Sequence, residues 1–341
     1  MSISVIIPVY NVASYIEECI RSVMSQTYDG DLECLIVDDC GQDESIDIAR
    51  KVVEEYNGPF SFRFIHHDKN KGLSVSRNTG IENSKGEYIY FLDADDILKD
   101  NCLELLLEVL KQYPDCEMVQ GGLELLVEDG ATTSTHVIEN LRISLSTEKE
   151  IPQYSNKKEW IKRAFAQRGG LRGFSMTAQN RLINRTFVIK NKLYFKEKVI
   201  HEDELWNYML ATHITRLGFC KHNTYLYRIR HNSITTQQRS NDEKIKDLFP
   251  VWDGILIDLL KTPSKVFTKM LWGYMNEFWT YEMSPQTRKE LLERLKLLMH
   301  DFHFPTTIGL WFYTHRHNAS NFGDFFFRKM MHNSIRKMQP I

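Results

Sequence analysis

The chain has 341 residues, 42% of them hydrophobic, and 43 Lys and Arg against 45 Asp and Glu leave a formal charge of −2. Those figures exclude a low-complexity or collagen-like chain and give no basic footprint for a nucleic acid, while the length allows two domains. The six cysteines form no C-x-x-C pair, no leader precedes the first strand and no apolar run nears ~20 residues, so a reduced cytoplasmic protein is expected.

In chain order, strands are predicted at Ile3–Val9, Leu32–Asp38, Phe62–His66, Tyr88–Asp93 and Glu117–Gln120. Helices are predicted between them at Ala13–Gln26, Glu44–Tyr56, Leu73–Asn83 and Cys102–Gln112. In the first helix Tyr15, Ile16, Cys19, Ile20 and Val23 recur at helical spacing. Strands alternating with helices predict an α/β architecture, a parallel sheet with crossover helices. Residues 128–157 are polar, with Thr132-Thr133-Ser134-Thr135, and read as a loop or hairpin excursion before a helix at Lys158–Gln167. Beyond about 240 only helical patterns remain, with Trp252, Trp272, Phe278 and Trp279 as core anchors. A boundary near 236–242 divides the chain into residues 1–238 and 239–341.

The densest chemical signal is Tyr90-Phe91-Leu92-Asp93-Ala94-Asp95-Asp96. A β-rich run ending in three acids puts negative charge at the carboxyl edge of a sheet, where open α/β folds bind ligands. Clustered carboxylates repel unless a cation neutralises them, and hard oxygen ligands suit Mg²⁺ or Mn²⁺. The alternative is a solvated acidic turn before the next helix. The first two strands end at the same edge in Pro8-Val9-Tyr10-Asn11 and Asp38-Asp39. Pro8 gives up a backbone donor where the chain leaves the sheet, Tyr10 offers a flat face, and a strand-end aspartate can accept an N–H or simply cap a turn. Asp43 and Ser45 are candidates for capping the next helix. Within 70–80, Gly72, Ser76, Arg77, Asn78 and Gly80 join close backbone approach to a planar cation. His201-Glu202-Asp203 precedes the apolar run Leu205–Leu210, and Arg230 with His231 follows the strand-like Tyr225–Ile229.

Taken together, the segments SVIIPVYN within Ser2–Asn11, LECLIVDDCGQDES at 32–45, NKGLSVSRNTGIENSKGEYIYFLDADD at 70–96 and HED at 201–203 resemble a family 2 glycosyltransferase, over roughly the first 230 residues. The resemblance implies a GT-A fold: a Rossmann-like, nucleotide-diphospho-sugar transferase sheet, mixed and mainly parallel, here with a helical C-terminal extension. It implies metal-assisted, inverting transfer of a sugar from a nucleotide-sugar donor, UDP-linked, to a hydroxyl of a saccharide or lipid-linked saccharide, in cell-surface polysaccharide or glycolipid synthesis. By the same resemblance Pro8, Tyr10 and Asn11 pack on the base, Asp39 reads it with Asp38 structural, and Arg77 and Asn78 lie over the nucleotide. Asp93, Ala94 and Asp95 form the DxD motif, with Asp93 on the ribose or the metal, Asp95 on Mn²⁺ or Mg²⁺, and Asp96 supporting the loop or binding through water. Sequence alone leaves open which two of the three acids coordinate. Asp203 is then the base, Glu202 positions the acceptor or the loop, and Arg230 or His231 reaches the diphosphate. The Q-x-x-R-W motif of processive members is not seen, which implies transfer of one or a few sugars.

Two other readings are weighed. Sugar-phosphate nucleotidyltransferases carry a glycine-rich loop after the first strand, where this chain has Pro8–Asn11. A non-catalytic sugar-nucleotide-binding protein would have no need of Asp93, Asp95 and Asp203. Residues 306–341 hold Trp311, Phe312, Tyr313 and Phe325–Phe327 with five Lys or Arg against Asp324. That composition suits peripheral contact with the inner face of an anionic membrane, or aromatic packing onto the catalytic domain.

Overall fold

A computed structural model describes residues 1–128, 154–156, 177–230, 239–262 and 281–301, with isolated positions between 264 and 278. The expected helix over 158–167, Trp272, Trp279, His231 and the stretch 306–341 lie outside the described residues. The chain divides into two compact units, residues 1–238 and 239–341.

The first unit is built on strands β1 (Ile3–Val9), β2 (Leu32–Asp38), β3 (Ser61–His66) and β4 (Tyr88–Phe91), parallel in the order β3-β2-β1-β4. Beyond β4 the sheet turns mixed. The short strand β5 (Ile97–Leu98) pairs antiparallel with the last strand, while β6 (Met118–Val127) runs parallel to it; β7 (Tyr154–Asn156) is antiparallel to that same strand. Between β4 and β6 lies β8 (Arg181–Asn184), antiparallel to both, and the last strand is β9 (Arg216–Ile229). Helices α1 (Ile16–Met24), α2 (Ser45–Glu54), α3 (Leu73–Asn83) and α4 (Cys102–Gln112) connect the strands, and α5 (Arg185–Lys190) and α6 (Glu202–His213) follow β8.

Every residue of β1 is buried, which explains why it reads as a nearly unbroken apolar run rather than an alternating one. Val5 and Ile7 join a core with Ile16, Ile20, Leu103 and Leu106. Ile6 faces α3, where a Cβ on Gly80 would stand 2.2 Å from its side chain, so glycine sets that close approach.

Element limits differ from expectation where side chains claim the backbone. Helix α1 starts at Ile16 rather than Ala13, because the Val12 and Ala13 N–H groups donate to Ser45 Oγ and Asp43 Oδ2, each at 2.8 Å. β4 stops at Phe91: Leu92 still donates to Ile6 O at 3.0 Å, then Asp96 N–H closes a turn on Asp93 O at 3.0 Å. β6 runs on to Val127 because β9 pairs with it throughout, across register shifts between Gln120 and Leu123.

In the second unit, α7 (Asn241–Lys261) opens with a reciprocal Ser240–Glu243 capping box, and α8 (Pro285–Asp301) follows. Trp252 is fully buried, 5.8 Å from Phe249 and 5.6 Å from Phe278 between ring centres. Arg294 grips Asp253 through two 2.7 Å bonds. Among the described residues no helix is long and apolar enough to cross a membrane.

Candidate active site

The carboxyl ends of β1 and β2 lie side by side, joined beyond the ladder by Asp39 N–H donating to Val9 O at 3.0 Å. Pro8 is buried opposite Val37, whereas Tyr10 is 44% exposed. Asn11 takes a left-handed backbone (φ 52°), a conformation asparagine tolerates, and its Oδ1 accepts Gln42 N–H at 2.7 Å. Asp38 accepts Cys40 N–H at 3.0 Å and meets His66 Nδ1 at 2.7 Å, which is the work of a turn former. Asp39 is 3% exposed and accepts Lys71 N–H and Gly72 N–H at 2.9 and 2.8 Å; His67 Nδ1 lies 2.7 Å from it. Gly72 needs no Cβ here, since its φ of 90° is open chiefly to glycine.

The acids after β4 sit in different surroundings. Asp96 is buried, accepting Tyr225 O–H at 2.6 Å and Arg228 N–H at 2.7 Å. Burial, then the charges of Asp95 and Asp93, push its carboxyl well above the usual range. Asp95 is raised for the same reasons, burial first and then Asp93, although Arg230 Nε donates to its Oδ2 at 2.7 Å. Arg228 Nε holds the Asp95 carbonyl at 2.9 Å, and the guanidinium groups of Arg228 and Arg230 lie 5.2 and 5.1 Å from the Tyr15 ring centre. Asp93 gives one oxygen to Arg77 Nη2 at 2.8 Å. Ala94, between the two acids, is buried.

Arg77 links this cluster to the His201–Asp203 motif. It is 3% exposed, and its Nη1 donates to Glu202 Oε1 at 2.7 Å across 125 residues of sequence. Burial alone would lower its pKa, but Asp93, Glu202 and Asp203 together hold it above the ordinary value. Neighbouring Asn78 clamps Phe195 at both ends of its amide, to the carbonyl and to the N–H, each at 2.8 Å. Asn78 thus spends both ends of its amide on Phe195 and Arg77 both Nη atoms on acids, while Arg77 Nε is buried without a hydrogen bond. Phe195 stacks on Trp206 at 4.6 Å, and Trp206 Nε1 donates to Leu193 O at 3.0 Å, which anchors α6 against the segment before it.

Helix α6 begins directly after His201, whose φ of 62° is a strained left-handed turn for a non-glycine residue. Glu202, Asp203 and Glu204 therefore fall in its first turn. The Asp203 carboxyl is pushed well above the usual range, first by burial and then by Glu202 and Glu204, with Arg77 opposing. Arg181 starts β8, which runs antiparallel to β4, and so lies at the edge where the acids sit. It is fully buried, its guanidinium bonds Asn207 one turn along α6 from Asp203, and burial lowers its pKa to about 9 with Asp203 opposing.

Chemically, the arrangement joins, through Arg77, a cluster of carboxylate oxygens to the turn that holds Asp203, whose pKa is raised. Asp93 and Asp95 each meet an arginine through one oxygen. Among the described residues no group of three or more His, Cys, Asp or Glu forms a metal cage. A divalent cation held by one or two carboxylates and completed by phosphate oxygens needs no such cage. Burial first, and then mutual repulsion, raise Asp95 and Asp96, and a cation offsets both, so Asp93 and Asp95 fit it. The motifs did not single out His67, Tyr15, Arg181, Asn207 and Tyr225 as members of this site. For His67 a signal existed: the parallel register of Asp38 with His66 sets the His pair beside the Asp pair.

Residues 4–178 match the model of the family described as glycosyl transferase family 2. EpsH of Bacillus subtilis is 30% identical over 236 residues, which are 68% of this chain and 62% of the relative. The glycosyltransferase GlyG of Streptococcus pneumoniae is 29% identical over 239 residues, 68% of this chain and 72% of the relative. The match therefore spans less than two thirds of the first of these proteins. Among solved structures, Staphylococcus aureus TarS 1–349 in complex with UDP superposes with a TM-score of 0.68 at 16% identity, covering 98% of this chain and 89% of that one. TarS 1–349 in complex with UDP-GlcNAc gives 0.66 at 16% identity, covering 88% and 81%. The mixed, mainly parallel sheet with its helices is the GT-A fold.

Proposed function

The chain belongs to the family 2 glycosyltransferases, and from that premise we propose that it moves a sugar from a UDP-linked donor to a hydroxyl acceptor with inversion. The observation that carries this is Arg77, which joins Asp93 of the acid cluster to Glu202 of the base motif and so makes one site of two distant segments. TarS, which shares the fold, has been solved with UDP and with UDP-GlcNAc, and that favours a uridine donor here.

In this reading Tyr10 lies against the base and Asp39 accepts its N–H, with Pro8 and Asn11 shaping the turn. Asp93 and Asp95 hold Mn²⁺ or Mg²⁺, which when bound offsets the charge on the departing diphosphate. Ala94 keeps the loop between them small. Arg230, bonded to Asp95, is offered to the diphosphate, and His231, the next residue in sequence, is the other candidate for that role. Asp203 takes the proton of the acceptor hydroxyl as its oxygen attacks the anomeric carbon, and its raised pKa matches that task. Glu202 orients this turn through Arg77 rather than exchanging protons. Residues 1–238 form the catalytic unit and residues 239–341 an acceptor- or membrane-associated helical unit. A cytoplasmic enzyme acting on a saccharide or lipid-linked saccharide, in surface polysaccharide or glycolipid synthesis, fits that division.

The test is Asp203→Asn assayed for transfer from UDP-hexoses and for UDP affinity. Turnover should fall by roughly 10²–10⁴ while UDP affinity is kept. Unchanged turnover would remove Asp203 as the base.

A further inference from the structure

Asp39 is tied down more fully than a turn-capping acid requires, and one of its ties comes from a side chain of another strand end. Resting on the reading of Asp39 as the carboxylate that recognises the base, we propose that His67 is a positioning residue for nucleotide selection. It fixes the Asp39 carboxylate so that a single acceptor position, on Oδ2, is left for a base N–H.

An ionised carboxylate only accepts, and has about four lone-pair positions. Lys71 N–H at 2.9 Å and His67 Nδ1 at 2.7 Å occupy Oδ1, and Gly72 N–H at 2.8 Å occupies half of Oδ2. Because the carboxylate cannot donate, His67 Nδ1 carries the proton between them. The other ring nitrogen, Nε2, lies 3.0 Å from Thr79 Oγ1, so the ring is held at both ends. His67 is 5% and Asp39 3% exposed, which leaves little room for water to replace either bond.

The fold explains why the two residues meet. β3 runs parallel to β2 with Asp38 opposite His66, and His67 N–H donates to Asp38 O at 2.9 Å, so each residue that follows its strand lands at the same edge. Thr79 comes from α3, the helix that also carries Arg77. The base pocket and the acid cluster thus share one helix.

The consequence is selection. Uracil presents an N–H at N3, where cytosine presents a lone pair. A carboxylate that can neither rotate nor offer a second face accepts the first and repels the second. If His67 were lost, Asp39 would keep its two backbone bonds but gain freedom to turn, and the distinction should weaken.

The experiment is calorimetric titration of UDP and CDP, with Mn²⁺ present, on the wild type, Asp39→Ala, His67→Leu, His67→Asn and Thr79→Val. His67→Leu should lower the UDP-to-CDP affinity ratio about tenfold, the worth of one hydrogen bond to a charged group, with CDP affinity unchanged. His67→Asn, whose amide N–H stands near the place of Nδ1, should restore most of the ratio, and Thr79→Val should give an intermediate loss. A wild-type ratio in His67→Leu, or equal losses for both nucleotides, would overturn the proposal and leave His67 a packing residue. If His67→Leu does not fold, Thr79→Val decides: a lowered ratio supports the proposal and an unchanged one overturns it. A wild-type ratio kept in Asp39→Ala would instead remove Asp39 as base reader, and this inference with it.

Discussion

Replacing Arg77 by Met removes the cation that Asp93 and Glu202 share while keeping most of the buried stem volume. The guanidinium is 3% exposed and its two bonds are 2.8 and 2.7 Å long, so neither carboxylate can regain water fully when it goes. Breaking a buried ion pair by removing one partner costs about 3–5 kcal/mol. For a unit of this size, at ~2–4 °C per kcal/mol, the melting point should fall by roughly 6–20 °C. The assay is thermal unfolding in EDTA and again with Mn²⁺. With a second cation available to Asp93, Arg77→Met should recover more stability from Mn²⁺ than the wild type gains. Arg77→Lys should lie between, because one ammonium spans the two acids poorly. A loss under about 1 kcal/mol, well short of that range, would refute the reasoning, and so would a large loss with no extra gain from Mn²⁺.

Tyr225→Phe removes the hydroxyl that donates to buried Asp96. The metal-free protein should lose about 1–3 kcal/mol in urea unfolding, the cost of leaving a buried acceptor without its donor. The pH dependence of stability follows from the raised acids. Asp95 and Asp96 bind protons more readily folded than unfolded, so their stabilising contribution is complete below the unfolded value of about 3.9 and is lost as pH rises through the folded values. In EDTA the unfolding midpoint should therefore climb as pH falls from neutrality towards the unfolded value, and Asp96→Asn should flatten that climb; identical profiles would contradict it. Turnover should show an acid limb well above the ordinary carboxylate range, set by Asp203, and a limb near pH 4 would count against its raised pKa.

Much of the parallel half was legible in the chain. β1 and β2, almost wholly buried, keep nearly unbroken apolar runs, and α3 and α4 occupy Leu73–Asn83 and Cys102–Gln112 as their spacing predicts. The mixed half was not, for physical reasons. β8 is four residues long and starts with a buried arginine, which reads as a solvated turn until Asn207 and Asp203 are brought to it. In β9 the alternation of Leu217 and Phe219, then of Tyr225, Tyr227 and Ile229, is broken by the exposed Lys221-His222-Asn223, so one strand looks like two fragments. Among the site residues, the DxD acids were visible as a cluster, but their division of labour was not. Asp96 is buried against Tyr225 and the Arg228 backbone, partners over 125 residues away that no local pattern announces. Asn78 clamps Phe195 with both ends of its amide, a pairing across 117 residues that no local pattern announces.

The most direct test of the account is the thermal stability of the protein with UDP, with and without Mn²⁺. At about 100 times its Kd, UDP should add about 2.7 kcal/mol, and only when the metal is present. A metal-dependent shift of that size is what Asp93 and Asp95 acting together on a uridine diphosphate predict. No shift under either condition would contradict the assignment of this edge of the sheet as a nucleotide-sugar site.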